Sequence, residues 1–415
     1  MKKQNNKPVM VEMFSGIGSQ AKALKKLNKD YDIYISDWDI SAFYAYDIIH
    51  NGPQTNYLDK YKNITNDEIL DFLTSKDLSI NGKTSVSIKY LSTWNDDALR
   101  RIYYAYKRTN NLGNIRHIEE ENLPEKIDIL TYSFPCQDVS IGGSWHKNMS
   151  GIGRNANNRS SMLWHVERIL KKRKARNGQL PLFLLMENVK NLLSPRYENH
   201  FNEWKSVLND LGYYNKVILL NAKNYGIPQN RERVYMVSIL IPKKDMYKLD
   251  IFFNNYNKNK GINTDYDIMD FLRIDYNQTK YKDEANISNP NDTPSRQKIY
   301  EHGRIIYDGY KIINTFINTI TTKQDRHPNA GLIEYLEHKN GSSKYRNLTP
   351  RECFLLMGFD EDDFENLCNN NFYIRQNRKF YFREKYERLA GNSIVVNVLM
   401  YLFSMIDDIR EILKS

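Results

Sequence analysis

Six short apolar runs dominate the first 241 residues, and stretches with helical periodicity separate them. The runs are Val9–Phe14, Ile33–Ser36, Ile127–Ser133, Leu182–Met186, Lys216–Leu220 and Val234–Ile241. Each has the length of a strand rather than of a helix. Between them, Ala21, Leu24 and Leu27 share one face of 19–29. Met162, Leu163, Val166, Ile169 and Leu170 form a stripe through 161–174. Trp204, Val207, Leu208 and Leu211 repeat the pattern before Gly212, a C-cap candidate. Strands that are apolar almost throughout, alternating with amphipathic helices, predict an α/β fold with a parallel sheet covered on both faces. Such a sheet delivers the C-terminal ends of its strands to one rim, where ligands bind.

The remainder of the 415 residues departs from this rhythm. Residues 50–125 are charged and read as a partly helical insertion. Residues 251–345 are rich in Asn, Tyr, Lys and Asp and predict a second, smaller unit of short strands and long loops. From Ser393 to Leu413 the apolar residues Ile394, Val395, Val398, Leu399, Leu402, Ile406 and Ile409 recur at helical spacing, with Asn392 and Ser393 as candidate caps. The net charge of +10 suits a polyanionic partner, although a Lys-, Asn- and Tyr-rich composition also follows from an AT-rich genome. Cys136, Cys353 and Cys368 are too scattered for a disulfide framework or a zinc site, which fits a reducing cytoplasm. The N-terminus lacks the apolar core of a signal peptide. No uninterrupted apolar run reaches the ~18 residues expected of a membrane span.

Chemistry-bearing residues cluster at the ends of the predicted strands. Phe14-Ser15-Gly16-Ile17-Gly18 follows the first run, and its glycines allow close approach of a ligand to the backbone. Asp37, after the second run, is placed to accept hydrogen bonds from ribose hydroxyls, and Trp38 to stack on adenine. Position 21 is Ala, so the third glycine of a dinucleotide fingerprint is missing and a nucleoside-type cofactor fits better. Ser133-Phe134-Pro135-Cys136-Gln137-Asp138 presents a thiol beside a proline of fixed φ. Glu187, after Leu182–Met186, stands where desolvation raises a carboxyl pKa and favours proton donation. Arg233, opening the sixth run, can hold an anion or a carbonyl oxygen. Each residue alone has an ordinary reading: a packing cysteine, a tight turn, a loop acid, a surface ion pair. Gly16, Asp37, Cys136 and Glu187 together on one rim do not.

The order of these motifs resembles the bacterial C5-cytosine DNA methyltransferases, over about residues 9–60, 126–242 and 344–413. FSGIG is similar to the family's S-adenosylmethionine loop, and SDWD to its ribose- and adenine-binding segment. SFPCQDVS resembles the nucleophile loop, LLMENVKN the ENV motif and QNRERV the arginine motif. RNLTPRECFLLMGF and AGNSIVVNVL resemble the last two motifs. The resemblance implies a Rossmann-like, S-adenosylmethionine-dependent catalytic domain with a smaller, mixed target-recognition domain. Residues 1–250 would be catalytic, 251–385 recognition domain and hinge, and 386–415 a helix returning to the catalytic domain. Cys136 would be the nucleophile, Glu187 would hold the N3 and N4 edge of cytosine, and Arg233 would contact O2 with Arg231 nearby. Phe14, Ser15, Gly16, Ile17, Gly18, Asp37, Trp38, Ile118, Pro135, Asn392 and Ser393 would line the cofactor pocket, and no metal is implied. Ser19 replaces a motif glycine, and His117 in NIRHIEEEN takes the place of the family's adenine-contacting acid.

The implied reaction is transfer of a methyl group from S-adenosylmethionine to C5 of a flipped cytosine in double-stranded DNA, through a covalent Cys136–C6 intermediate. The glycine-containing segment 139–160, with Gly142, Gly143, Gly151 and Gly153, would close over the site. Thr319-Ile320-Thr321-Thr322 resembles a family signature that supports the flipped nucleotide. Gln137, Ser140, Thr319, Thr321, Lys323, Gln324, Arg326 and His327 are the candidate DNA contacts. TYSFPCQD and LLMENVKNLL resemble CpG enzymes of mollicutes, but they belong to the catalytic domain and say little about the bases recognised. A monomer is expected in the bacterial cytoplasm, at the nucleoid, with a cognate restriction endonuclease acting separately. The competing readings are a tRNA cytosine-C5 methyltransferase and a non-catalytic DNA-binding relative. The long variable region favours DNA readout over the first, and intact Cys136, Glu187 and Arg233 oppose the second.

Overall fold

The computed structural model describes residues 7–136, 138–139, 151–154, 160–256, 265–337 and 339–414. Its centre is a six-stranded sheet: β1 (Val9–Met13), β2 (Asp32–Ser36), β3 (Ile129–Tyr132), β4 (Phe183–Val189), β5 (Tyr213–Asn221) and β6 (Glu232–Leu240). The strand order is β2-β1-β3-β4-β6-β5. β1 pairs in parallel with β2 and β3, and β3 with β4. The expectation of an all-parallel sheet is corrected at β6, which runs antiparallel to both β4 and β5. A strand rich in Val, Ile and Met reads the same in either direction, so periodicity carries no polarity. The reversal places the start of β6 on the rim formed by the ends of the parallel strands.

Side chains alternate between the two faces, and each face builds its own core. One face buries Val11, Met13, Leu130, Tyr132, Leu184 and Met236 under helices Leu163–Ala175 and Glu198–Leu211. Trp204 is fully buried there and its indole N–H donates to the Tyr132 hydroxyl at 3.1 Å. The chain leaves the second of these helices through Gly212, whose φ of 103° is left-handed and suits glycine. The opposite face buries Met10, Ile35, Ile129, Phe183, Leu185 and Val237 against α1 (Ser19–Lys26), α2 (Ile40–Asn51) and helices further along the chain. Glu12 of β1 lies in this core, fully buried, and burial pushes its carboxyl up to about 8.

Residues 50–125 are largely helical, and their helices Asn66–Ser75 and Asp96–Arg108 bury Ile69, Leu73, Leu99 and Ile102 in the same core as β1 and β2. The region 251–345 is more helical than its polar composition predicts. Helices Thr279–Ser288 and Pro294–His302 accompany a four-stranded sheet built from Ile305–Asp308, Lys311–Ile312, Leu332–Glu334 and Tyr345–Asn347. The C-terminal helix begins at Val396 rather than at Ser393, and Asn392 ends the preceding helix, Arg383–Asn392, instead of capping the next. By length and hydropathy this terminal segment is apolar enough to cross a membrane, but it is mostly buried and packs on α1. That burial explains its composition without a bilayer.

Thr349 caps helix Pro350–Leu355 in a reciprocal box with Glu352, with proline at the first helical position. Glu352 also pairs with Arg346 through both carboxylate oxygens at 2.8 Å, and both side chains are fully buried. Removing one partner of such a pair strands a charge in the core. Glu352→Ala is expected to lower unfolding stability by about 3–5 kcal/mol, measured as a shift of the urea midpoint at unchanged slope.

Candidate active site

Cys136 sits just beyond β3, and its loop is held by groups that the sequence reading did not single out. Asn188 donates its side-chain amide to the carbonyl of Phe134 at 3.1 Å. Ser160 donates its hydroxyl to the carbonyl of Pro135 at 2.6 Å. Asp138 accepts from the Ser160 amide at 3.2 Å, and Asn191 donates to the carbonyl of Val139 at 2.6 Å. Asn188 and Asn191 both lie in LLMENVKN, so a buried polar residue inside an apolar run was the available signal. Gln137, Ser140, Gly142 and Gly143 lie outside the described residues. Gly151 and Gly153 are described and pack on Tyr197 and His200.

Glu187 belongs to β4 itself rather than to the turn after it. The β4–β6 register sets Glu187 opposite Tyr235 and Val189 opposite Arg233. Glu187 and Arg233 are therefore diagonal neighbours on one face of the sheet. Their side chains meet with Arg233 Nε 3.4 Å from Glu187 Oε1, and both are mostly buried. Arg233 also donates to the carbonyl of Glu232 at 2.8 Å.

Burial raises the Cys136 thiol above its ordinary value, Arg233 and Arg231 pull it down, and Glu187 pushes it up. Burial likewise raises Glu187, against the pull of the same two arginines. Thiol, carboxyl and guanidinium thus influence one another electrostatically, with burial favouring the neutral form of both Cys136 and Glu187 and the arginines opposing it.

Arg231 acts on these groups through its charge, while its guanidinium is engaged by main-chain carbonyls. It is 5% exposed, and its guanidinium donates to the carbonyls of Ile320, Gly391 and Ser393 at 2.9, 3.1 and 2.8 Å. Ser393 belongs to the same junction: its amide donates to the carbonyl of Ala390, its hydroxyl to that of Leu389, and its own carbonyl accepts from Arg231.

The glycine loop follows β1, the strand next to β3. Phe14, Gly16 and Gly18 all have left-handed φ, at 59°, 56° and 79°. A Cβ on Gly16 would meet open space, whereas one on Gly18 would strike His50 and Tyr46. Gly18 is thus a packing glycine and Gly16 an approach surface. Ser15 Oγ is buried and has no hydrogen-bond partner among the described residues, and Ile17 is buried beneath the loop. Asp37 accepts from the amides of Gly16 and Asp39, each at 2.8 Å. Burial and Asp39 push its carboxyl up to about 7 against these amides. Trp38 is half-buried, with the Arg116 guanidinium 6.0 Å from its ring centre. Ile118 is buried, Pro135 is half-buried and Asn392 is exposed. His117 is mostly exposed and pairs with Asp77 at 3.0 Å, so residues 50–125 bring an acid beside the position.

In the region 251–345, Thr319 donates its hydroxyl to the carbonyl of Asn230 at 2.8 Å and Thr321 to that of Lys323 at 2.7 Å. Lys323, Arg326 and His327 are exposed. Gln324 is not a groove contact. It is fully buried, donates its side-chain amide to Thr321 and its backbone amide to Glu387, and braces the loop from within.

An α/β sheet with a glycine loop, the acid Asp37 and a thiol–carboxyl–guanidinium group on one rim is consistent with a methyltransferase fold. The family model described as C-5 cytosine-specific DNA methylase matches residues 76–408, and the chain belongs to that family. It is 35% identical to the orphan methyltransferase M.SssI of Spiroplasma monobiae, over 94% of each chain. It is 33% identical to the type II methyltransferase M2.ScrFI of Lactococcus lactis subsp. cremoris, over 97% of this chain and 98% of that one. Among solved structures it resembles the Schizosaccharomyces pombe Dnmt2 methyltransferase, with a TM-score of 0.56 and 18% identity over 96% of this chain and 98% of that one. That likeness bears on the fold. The protein is a DNA (cytosine-5-)-methyltransferase.

Removing Arg233 withdraws the larger of the two cationic influences that lower the Cys136 pKa and leaves Arg231 alone to oppose burial and Glu187. Arg233→Gln is expected to move half-maximal alkylation of Cys136 by iodoacetamide to higher pH, and to slow alkylation at fixed neutral pH. A shift to lower pH would contradict the arrangement.

Proposed function

We propose that the enzyme methylates C5 of a cytosine flipped out of double-stranded DNA, with Cys136, Glu187 and Arg233 as its reacting and stabilising groups. The observation that carries this reading is the placement of Cys136 just past β3 on the rim where Arg233 Nε lies 3.4 Å from Glu187 Oε1. Cytosine C5 is a poor nucleophile. Addition of the Cys136 thiolate to C6 makes C5 enamine-like. Glu187, raised by burial, supplies a proton to N3 and prevents negative charge from building on the ring. Arg233, beside Glu187, faces O2 and holds the carboxyl in place. After transfer, loss of the C5 proton and elimination of Cys136 restore the aromatic ring. The base must leave the stack to be reached, at a cost of a few kcal/mol.

S-adenosylmethionine, when bound, supplies an electrophilic methyl group on a sulfonium. The residues of the glycine loop fit such a nucleoside cofactor: Ser15 Oγ lacks a partner among the described residues, Gly16 faces open space and Asp37 is fixed at the rim. Phe14, Trp38, Ile118, Pro135 and Asn392 would complete the pocket, leaving S-adenosylhomocysteine as product.

Lys323, Arg326 and His327, exposed beyond Thr319 and Thr321, are the proposed DNA contacts. A monomer acting on DNA in the bacterial cytoplasm fits this reading. Of the named relatives, one is called orphan and the other type II, and a cognate restriction endonuclease acting separately is part of the proposal.

Cys136→Ala is expected to abolish methyl incorporation while binding duplex DNA as tightly as the wild type. Incorporation at wild-type rate by that variant would remove Cys136 from its role. Incorporation into duplex DNA is expected to exceed incorporation into tRNA by orders of magnitude, and bisulfite sequencing of DNA from expressing cells reads the target. Duplex affinity should fall steeply with salt, each neutralised phosphate adding about 0.9 to the logarithmic slope. An affinity flat between low and moderate salt would exclude the proposed phosphate contacts.

A further inference from the structure

The loop between β5 and β6 is where two distant parts of the chain meet the catalytic sheet. Gln229 is fully buried and accepts from the Ile320 amide at 3.0 Å, while its own amide donates to the carbonyl of Leu356 at 2.7 Å. Asn230 donates its amide to the carbonyl of Ile317 at 2.8 Å and accepts from Thr319. Arg231 then spreads its guanidinium across three carbonyls, one from the recognition segment at Ile320 and two from the turn at Gly391 and Ser393. The two segments also touch directly. A Cβ on Gly391 would lie 2.4 Å from the carbonyl oxygen of Thr321. Only glycine permits that approach of backbone to backbone.

We propose that Arg231 is a positioning residue that yokes the recognition segment 317–322 to the turn 391–393, so that filling the cofactor pocket orders the DNA-binding segment and DNA binding tightens the pocket. This rests on reading Asn392 as cofactor-facing and Thr319–Thr322 as DNA-facing. The physical basis is the planar guanidinium, which has enough fixed donors to hold carbonyls from two segments at once. A ligand that immobilises one segment immobilises the other through the shared cation, so the second ligand loses less conformational entropy on binding. By linkage the two affinities change by the same factor. A residue that merely held the fold would leave that factor unchanged.

The experiment combines hydrogen–deuterium exchange of the full chain, with and without S-adenosylhomocysteine, and fluorescence anisotropy of a labelled duplex under the same two conditions. In the wild type, S-adenosylhomocysteine is expected to protect amides of 14–18 and also of 317–324, and to tighten duplex binding about tenfold. In Arg231→Gln, protection at 14–18 is expected to persist, protection at 317–324 to vanish and the factor to fall to near one. Arg231→Lys should recover part of the factor. If Arg231→Gln does not fold, Gly391→Ala disturbs the same junction from its other side and is read in the same way. Coupling and protection at wild-type levels in these variants would overturn the yoke, as would a wild type whose segment 317–324 ignores the ligand. A wild type that binds no duplex, yet shows ligand-dependent protection at 317–324 through Arg231, would sink the DNA-facing reading and leave the yoke standing.

Discussion

The antiparallel pairing of β6 with β4 is the constraint on which the site depends. In a wholly parallel sheet the start of β6 would face the opposite rim, far from the strand ends that carry Cys136, Asp37 and the glycine loop. Reversal brings Arg233 beside Glu187, and the ladder between the two strands fixes their diagonal spacing. A hydrogen-bonded ladder is a rigid mount, more exact than a loop for groups that must share one proton and one developing charge. A slip of one residue in this register would turn Arg233 to the other face of the sheet.

The proposed nucleophile is mounted differently. Cys136 lies on a loop, and side chains from elsewhere hold that loop by its carbonyls. Asn188 at Phe134 and Ser160 at Pro135 stand on either side of a turn that also carries a proline. Glu187 and Asn188 are adjacent in β4 and point to opposite faces, so one short motif serves the chemistry on one side and the scaffold on the other.

Much of this was legible in the sequence, because strand-length apolar runs and the residues that end them are local signals. All six strands lie where the runs predict, within a few residues, and Gly212 takes the left-handed cap. Strand polarity was not legible, since an apolar run has no direction. The tasks of Arg231, Ser393 and Gln324 were equally hidden. Each is polar and each sits inside a motif, which suggests a ligand, but Arg231 and Ser393 bond to each other, and Gln324 to Glu387, across long stretches of chain. Spacing within a motif cannot reveal partners 60 to 160 residues away. The polar region 251–345 misled for another reason. Its helices need few core residues, because salt bridges such as Arg351 with Glu284 hold them at their edges.

The contacts that fasten segment 317–322 have a further consequence. On that segment they engage chiefly backbone groups: the carbonyls of Ile317 and Ile320, the amide of Ile320 and the peptide of Thr321 against Gly391. Main-chain contacts ask little of side-chain identity. The residues that read a DNA sequence can therefore diverge while the seam that joins them to the chemistry stays the same. A segment fastened in this way can change most of its own side chains without rebuilding the reaction centre, because the side chains of Gln229 and Arg231 grip it largely by its peptide groups.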